Sequence, residues 1–94
     1  MNLSEVKVLF SEIVDNCPSL EGVHFMIAPS ITPHSIVDGY EIHLSGKKID
    51  EVAIAYLRKL AKRNQLSFKQ HGTSAAIFKL KKTVVEQLGF RKEE

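Results

Sequence analysis

Residues 50–82 read DEVAIAYLRKLAKRNQLSFKQHGTSAAIFKLKK, and the fold class turns on a change of hydrophobic period inside this stretch. Up to Asn64 the apolar positions Ile49, Ala53, Ile54, Tyr56, Leu57, Leu60 and Ala61 share one helical arc, with Asp50 and Glu51 supplying negative charge where a helix starts. Beyond Asn64 the period drops to two. Leu66 and Phe68 alternate with Ser67 and Lys69, and Ala76, Phe78 and Leu80 alternate with Ile77, Lys79 and Lys81, around a His71-Gly72-Thr73-Ser74 turn. The spacing predicts a helix over 50–63 followed by a hairpin.

Upstream, Leu3, Val6, Leu9, Phe10, Ile13, Val14 and Cys17 recur at helical spacing, with Asn2 or Ser4 as cap and Pro18 as stop, which predicts a helix over 3–16. Val23, Phe25 and Ile27 alternate in one segment, and Tyr40, Ile42 and Leu44 in the next, as two strands. The connection from Pro29 to Gly39 is long for a hairpin and reads as a true loop. Downstream, Thr83-Val84-Val85-Glu86 has the capping-box pattern of a short final helix that Gly89 closes. The element order α-β-β-α-β-β plus that short helix predicts a two-layer α+β sandwich, with the long helices packed on one face of a four-stranded sheet.

Ninety-four residues, 26% charged and 44% hydrophobic, suit one small domain spanning 1–94. A chain of this size buries about 60 to 65% of its unfolded surface, enough for one modest core. The longest apolar run, Val52–Leu57, is far short of the roughly 20 residues that span a bilayer, and no basic-then-apolar leader opens the chain, so the expected address is the cytoplasm, without membrane contact. A single cysteine, Cys17, fits a reducing compartment.

Charge is the strongest functional signal. Met1–Gly46 holds one lysine against six acidic residues, while Lys47–Glu94 holds twelve basic residues against five. Within the second half, Arg58, Lys59, Lys62, Arg63, Lys69, Lys79, Lys81 and Lys82 occur without an intervening carboxylate. At 100° per residue, the first four cover about 140° of the helix side opposite its buried arc. If Phe25, Tyr40, Ile42, Phe68, Phe78 and Leu80 face the helices, then His24, Met26, His43, Lys69, Lys79 and Lys81 line the open sheet face, which would be cationic. These eight residues are the expected contacts for RNA or single-stranded DNA, held by phosphate charge without strong sequence preference. The chain has no Trp and only seven Phe and Tyr, nearly all at expected core positions, so base stacking contributes little. The alternative is a protein-interaction or self-associating domain, through charge complementarity between the halves or through an edge strand. Exposed strand lysines also guard sheet edges, and cations at a helix C-terminus complement its dipole.

The stretch IAYLRKLAKRNQLSFKQHGTSAAIFKLKK, residues 54–82, resembles the helix-then-hairpin half of a small nucleic-acid-binding module marked by an Arg-x-x-x-His pair on that helix. In the matching alignment Ile54 stands where that Arg belongs and Arg58 where the His belongs, so the resemblance carries over no site residue. The same stretch is similar to the C-terminal half of the small sulfur-carrier proteins, whose chemistry lies on a Cys-Pro-x-Pro element starting a helix. Here Cys17-Pro18-Ser19-Leu20 lacks the second proline and follows a helix, where no N-terminal dipole favours a thiolate.

No catalytic residues, cofactor or metal are expected. Ser30, Thr32, His34, Ser35 and Asp38 supply the atom types of a hydrolase triad, but no Gly-x-Ser-x-Gly elbow accompanies them. His24 and His43 fall side by side on the expected open face, and two ligands are too few for a structural metal. Ser45-Gly46-Lys47-Lys48 lacks the first glycine of a phosphate loop, though its lysines stand at a helix entrance.

Overall fold

A computed structural model describes residues 1–29 and 36–81. The expected final helix at Thr83–Gly89, most of the Pro29–Gly39 connection with Ser30, Thr32, His34 and Ser35, and the basic residue Lys82 lie outside the described residues.

Helix α1, Leu3–Asn16, begins with a reciprocal cap: Asn2 Oδ1 accepts from the Glu5 N–H at 2.8 Å, and Glu5 Oε1 accepts from the Asn2 N–H at 2.8 Å. It ends before Pro18, which opens a single 3-10 turn, Pro18–Leu20. Strands β1, His24–Pro29, and β2, Tyr40–Ser45, precede helix α2, Glu51–Arg63. Strands β3, Ser67–His71, and β4, Ser74–Phe78, form the final hairpin across Gly72 and Thr73. The sheet is antiparallel throughout, in the order β1-β2-β4-β3, and both helices pack on one face of it. The α+β two-layer class follows the sequence expectation.

The end of α2 has a geometry that residue type alone conceals. Gln65 adopts a left-handed φ of 55°, the Leu66 N–H donates to the Ala61 carbonyl at 2.7 Å, and the Gln65 N–H donates to the Lys62 carbonyl at 3.2 Å. This is the paired hydrogen bonding of a Schellman ending, with glutamine where glycine is favoured. Asn64 contributes a further bond from Nδ2 to the Leu60 carbonyl at 2.8 Å.

Val6, Leu9 and Ile13 of α1, Ala53, Leu57 and Leu60 of α2, and Ile42, Leu44, Ala75 and Ile77 of the central strands form the core. Among the described residues no polar side chain is buried. The register of β2 against β4 aligns Ile42 with Ile77 and Leu44 with Ala75, and residues opposite one another across an antiparallel pair share a face. Ala75 and Ile77 therefore face the helices, while Ala76 and Phe78 face away. This reverses the expected phase for the last strand, in which Phe78 and Leu80 pointed inward. Lys79 and Lys81 lie beyond β4 and are half-buried; the Lys79 carbonyl accepts from the Asp38 N–H at 2.7 Å and the Lys81 N–H donates to the Ile36 carbonyl at 2.9 Å.

The entry to β2 depends on the start of the chain. Met1 is buried, its backbone nitrogen donates to the Asp38 carbonyl, and its carbonyl accepts from the Tyr40 N–H at 2.8 Å. Gly39, between those partners, has φ +76° and approaches so closely that an added Cβ would lie 2.4 Å from the Met1 carbonyl oxygen. Gly72 also has positive φ, +61°, but nothing lies within 4 Å of its would-be Cβ.

Two stability measurements check these backbone assignments. In urea denaturation, Gly72→Ala should cost about 1 kcal/mol for left-handed geometry alone, and Gly39→Ala clearly more, because the methyl also displaces Met1; equal costs would contradict the close approach. Gln65→Gly should stabilise the protein by about 1 kcal/mol by relieving the left-handed residue at the end of α2; a loss of stability would contradict the Schellman ending.

Candidate polyanion interface

Sequence order becomes lateral order in the helical layer. Helix α1 lies against β2, its Phe10 ring reaching the Phe25 ring of β1 edge-to-face at 5.1 Å, and the Arg58 guanidinium lies 5.4 Å over the Phe68 ring, which places α2 beside β3. The acidic first helix and the basic second helix therefore lie side by side.

Arg58, Lys59, Lys62 and Arg63 are all exposed on the last two turns of α2. The buried arc of Ala53, Leu57, Leu60 and Ala61 forces them there, since the outer side is what remains. Arg58 borders the β3 margin. Arg63 borders α1, where Glu12 Oε2 stands 3.9 Å from its Nη2, an exposed pair of little energetic consequence. The Tyr56 hydroxyl also bridges the helices, donating to the Glu12 carbonyl at 3.4 Å. At the other end of α2, an open groove of about 430 Å³ is lined by Lys48, Ile49, Glu51, Ile54, Arg58 and Gln70, so a carboxylate shares it with the two cations.

Lys69 is exposed at the middle of β3, on the sheet face opposite the helices. Its row across that face runs Met26, His43, Ala76, Lys69. Glu41 lies on the same face, with its Oε1 3.0 Å from His43 Nε2. Instead of three lysines, the described strands set one lysine, a histidine–carboxylate pair and the apolar side chains of Met26, Ala76 and Phe78 on this surface. The basic residues thus divide: four gather on α2, Lys69 stands at the neighbouring margin, and Lys79 and Lys81 lie half-buried beyond the end of β4. Sequence periodicity missed Glu41 as a counter-charge; its alternation with Ile42 was the available signal.

The entrance to α2 is tied down instead of left open for an anion. Asp50 caps the helix, with Oδ1 accepting from the Ala53 N–H at 2.7 Å, and Lys47 Nζ donates to the Glu21 carbonyl at 2.8 Å. The Asp50 carboxyl is held below its ordinary value by the Ala53 N–H first, then by a hydrogen bond from the Ser19 side chain, with smaller contributions from the Val52 N–H and the Lys47 cation. Burial pushes the Cys17 thiol up, and the Asp50 charge adds to that, so at neutral pH the group is a protonated core thiol. Among the described residues no group of three or more His, Cys, Asp or Glu is arranged to hold a metal, and no helix is long and apolar enough to cross a membrane.

Comparison with protein-family models, with curated proteins and with solved structures returned no match. The interface is therefore argued from its geometry.

A carboxylate whose folded pKa is depressed stabilises the fold above its unfolded value and loses that contribution as pH falls through the folded value. Asp50→Ala should thus be less stable than wild type at neutral pH, and the gap in urea denaturation should narrow as pH falls below the ordinary 3.8. A gap that stays constant into acid would contradict the charged cap.

Proposed function

We propose that this chain is a small binding module that holds RNA or single-stranded DNA, without strong sequence preference, through the cationic outer flank of α2 and the adjoining margin of β3. The observation that carries this reading is the clustering of Arg58, Lys59, Lys62 and Arg63, all exposed, on two helical turns, with Glu12 on the α1 side and Glu51 in the groove beside Arg58 as the carboxylates at its borders. Phosphates attract such a group by charge, and counterion release makes the attachment salt-dependent. Arg58 adds a planar donor set suited to phosphate oxygens, steadied by Phe68 beneath it. Lys69 extends the cationic margin to the other side of β3. The scarcity of exposed aromatic rings supports recognition of the backbone over the bases.

The test is fluorescence anisotropy of a labelled single-stranded oligonucleotide over a salt series. With about four phosphates neutralised, log affinity should fall against log salt with a slope near −3. The variant Arg58→Glu/Lys59→Glu/Lys62→Glu should bind at least about tenfold more weakly with an unchanged thermal melt, whereas Lys79→Glu/Lys81→Glu should weaken binding less. Equal binding by wild type and the α2 variant would refute the reading.

A further inference from the structure

The two margins of the sheet are built differently. Strand β3 carries Lys69 at its centre and is flanked by Arg58, the kind of charge that blocks edge-to-edge pairing. Strand β1, at the other margin, reads His24-Phe25-Met26-Ile27-Ala28-Pro29, with no lysine, arginine or carboxylate. All six of its residues are in unbroken register with β2, so no bulge turns the strand away, and among the described residues nothing pairs with its outer side. Apolar side chains rise on both sides of this margin: Met26, 58% exposed, on the open face and Ile27, 42% exposed, on the helical face.

Helix α1, packed against the neighbouring β2, is also apolar on the flank it turns to this margin. Leu3, Phe10 and Val14 fall within about 40° of arc at 100° per residue, and the Phe10–Phe25 contact turns that arc towards β1. Leu3 is 56% and Val14 50% exposed. The helix's Glu12 lies on the opposite side, against α2, and Lys7 is the one charge bordering the stripe.

We propose that this margin joins two copies of the chain. Strand β1 pairs antiparallel with β1 of a second copy about a two-fold axis near Met26 and Ile27, giving a continuous sheet of eight strands with α1 beside its own counterpart. An edge strand leaves backbone donors and acceptors that another strand satisfies, and a two-fold contact requires the surface to complement itself. This margin does so. Antiparallel α1 helices bring Leu3 of one copy towards Val14 of the other, and no acid-base pairing is needed because the strand is uncharged. The lengths agree as well: six strand residues span about 20 Å and fourteen helical residues about 21 Å. Two layers of that length bury on the order of 1,000 Å² in total, the lower end for specific contacts. The dimer is consequently weak and reversible. It leaves both α2 flanks free at the far ends of the joined sheet, so it stands independently of polyanion binding.

Sedimentation velocity over concentrations from about 1 µM to 1 mM, at low and high salt, tests the proposal. Wild type should pass from monomer to dimer across this range, and high salt should not dissociate it. Met26→Lys, which brings like charges together near the two-fold axis, and Val14→Lys, which sets a charge against the apolar Leu3 of the other copy, each at a half-exposed or more exposed position, should each weaken association at least about tenfold, with unchanged thermal melts. A wild type that stays monomeric, a Met26→Lys variant that associates as wild type does, or association abolished by salt or by Arg58→Glu would overturn it. Loss of oligonucleotide binding alone would refute the polyanion reading and leave this one standing.

Discussion

The register between the two central strands governs most of the molecule. Ile42 against Ile77 and Leu44 against Ala75 place four side chains under the helices, with Ile42, Leu44 and Ile77 wholly shielded from water. A slip of β4 by one residue would turn Ala75 and Ile77 to the open face and drive Ala76 and Phe78 under the helices. The native register turns Ala76 and Phe78 to the open face, where Ala76 stands opposite Lys69.

The placement of charge follows from how the helices cover this sheet. Each helix buries one stripe and must display the rest. For α2 the rest is cationic over its last two turns, where positive charge also complements the helix dipole. For α1 the display is divided, with Glu12 beside α2 and Leu3, Phe10 and Val14 beside β1. Charge and apolar surface are thus sorted to opposite margins. One margin holds the proposed polyanion contacts and the other the strand proposed to pair with its own copy.

Local chemistry supports this arrangement at three junctions. Met1 docks across Gly39, whose missing side chain lets the start of α1 close on the entry to β2. Ser19 and Lys47 gather around the Asp50 cap, tying the 3-10 turn to the start of α2. The Gln65 turn directs the chain from α2 into β3, and so brings Arg58 over Phe68.

The residues alone determined the two amphipathic helices, the strand segments, the order of these elements along the chain and the α+β class, because Leu, Ile and Val recurring at periods of 3.6 and two leave few other ways to bury apolar surface. They also determined the basic flank of α2, which is a property of one helix. The facing of β4 was decided only by the folded sheet: Ala75 and Ile77 form one apolar stripe, Ala76, Phe78 and Leu80 another, and no local signal ranks them until β2 sets the register. The same holds for Glu41 beside His43 and for the bare margin of β1. These depend on which strands become neighbours and which stand at the edge, an outcome of long-range pairing that spacing along the chain does not encode.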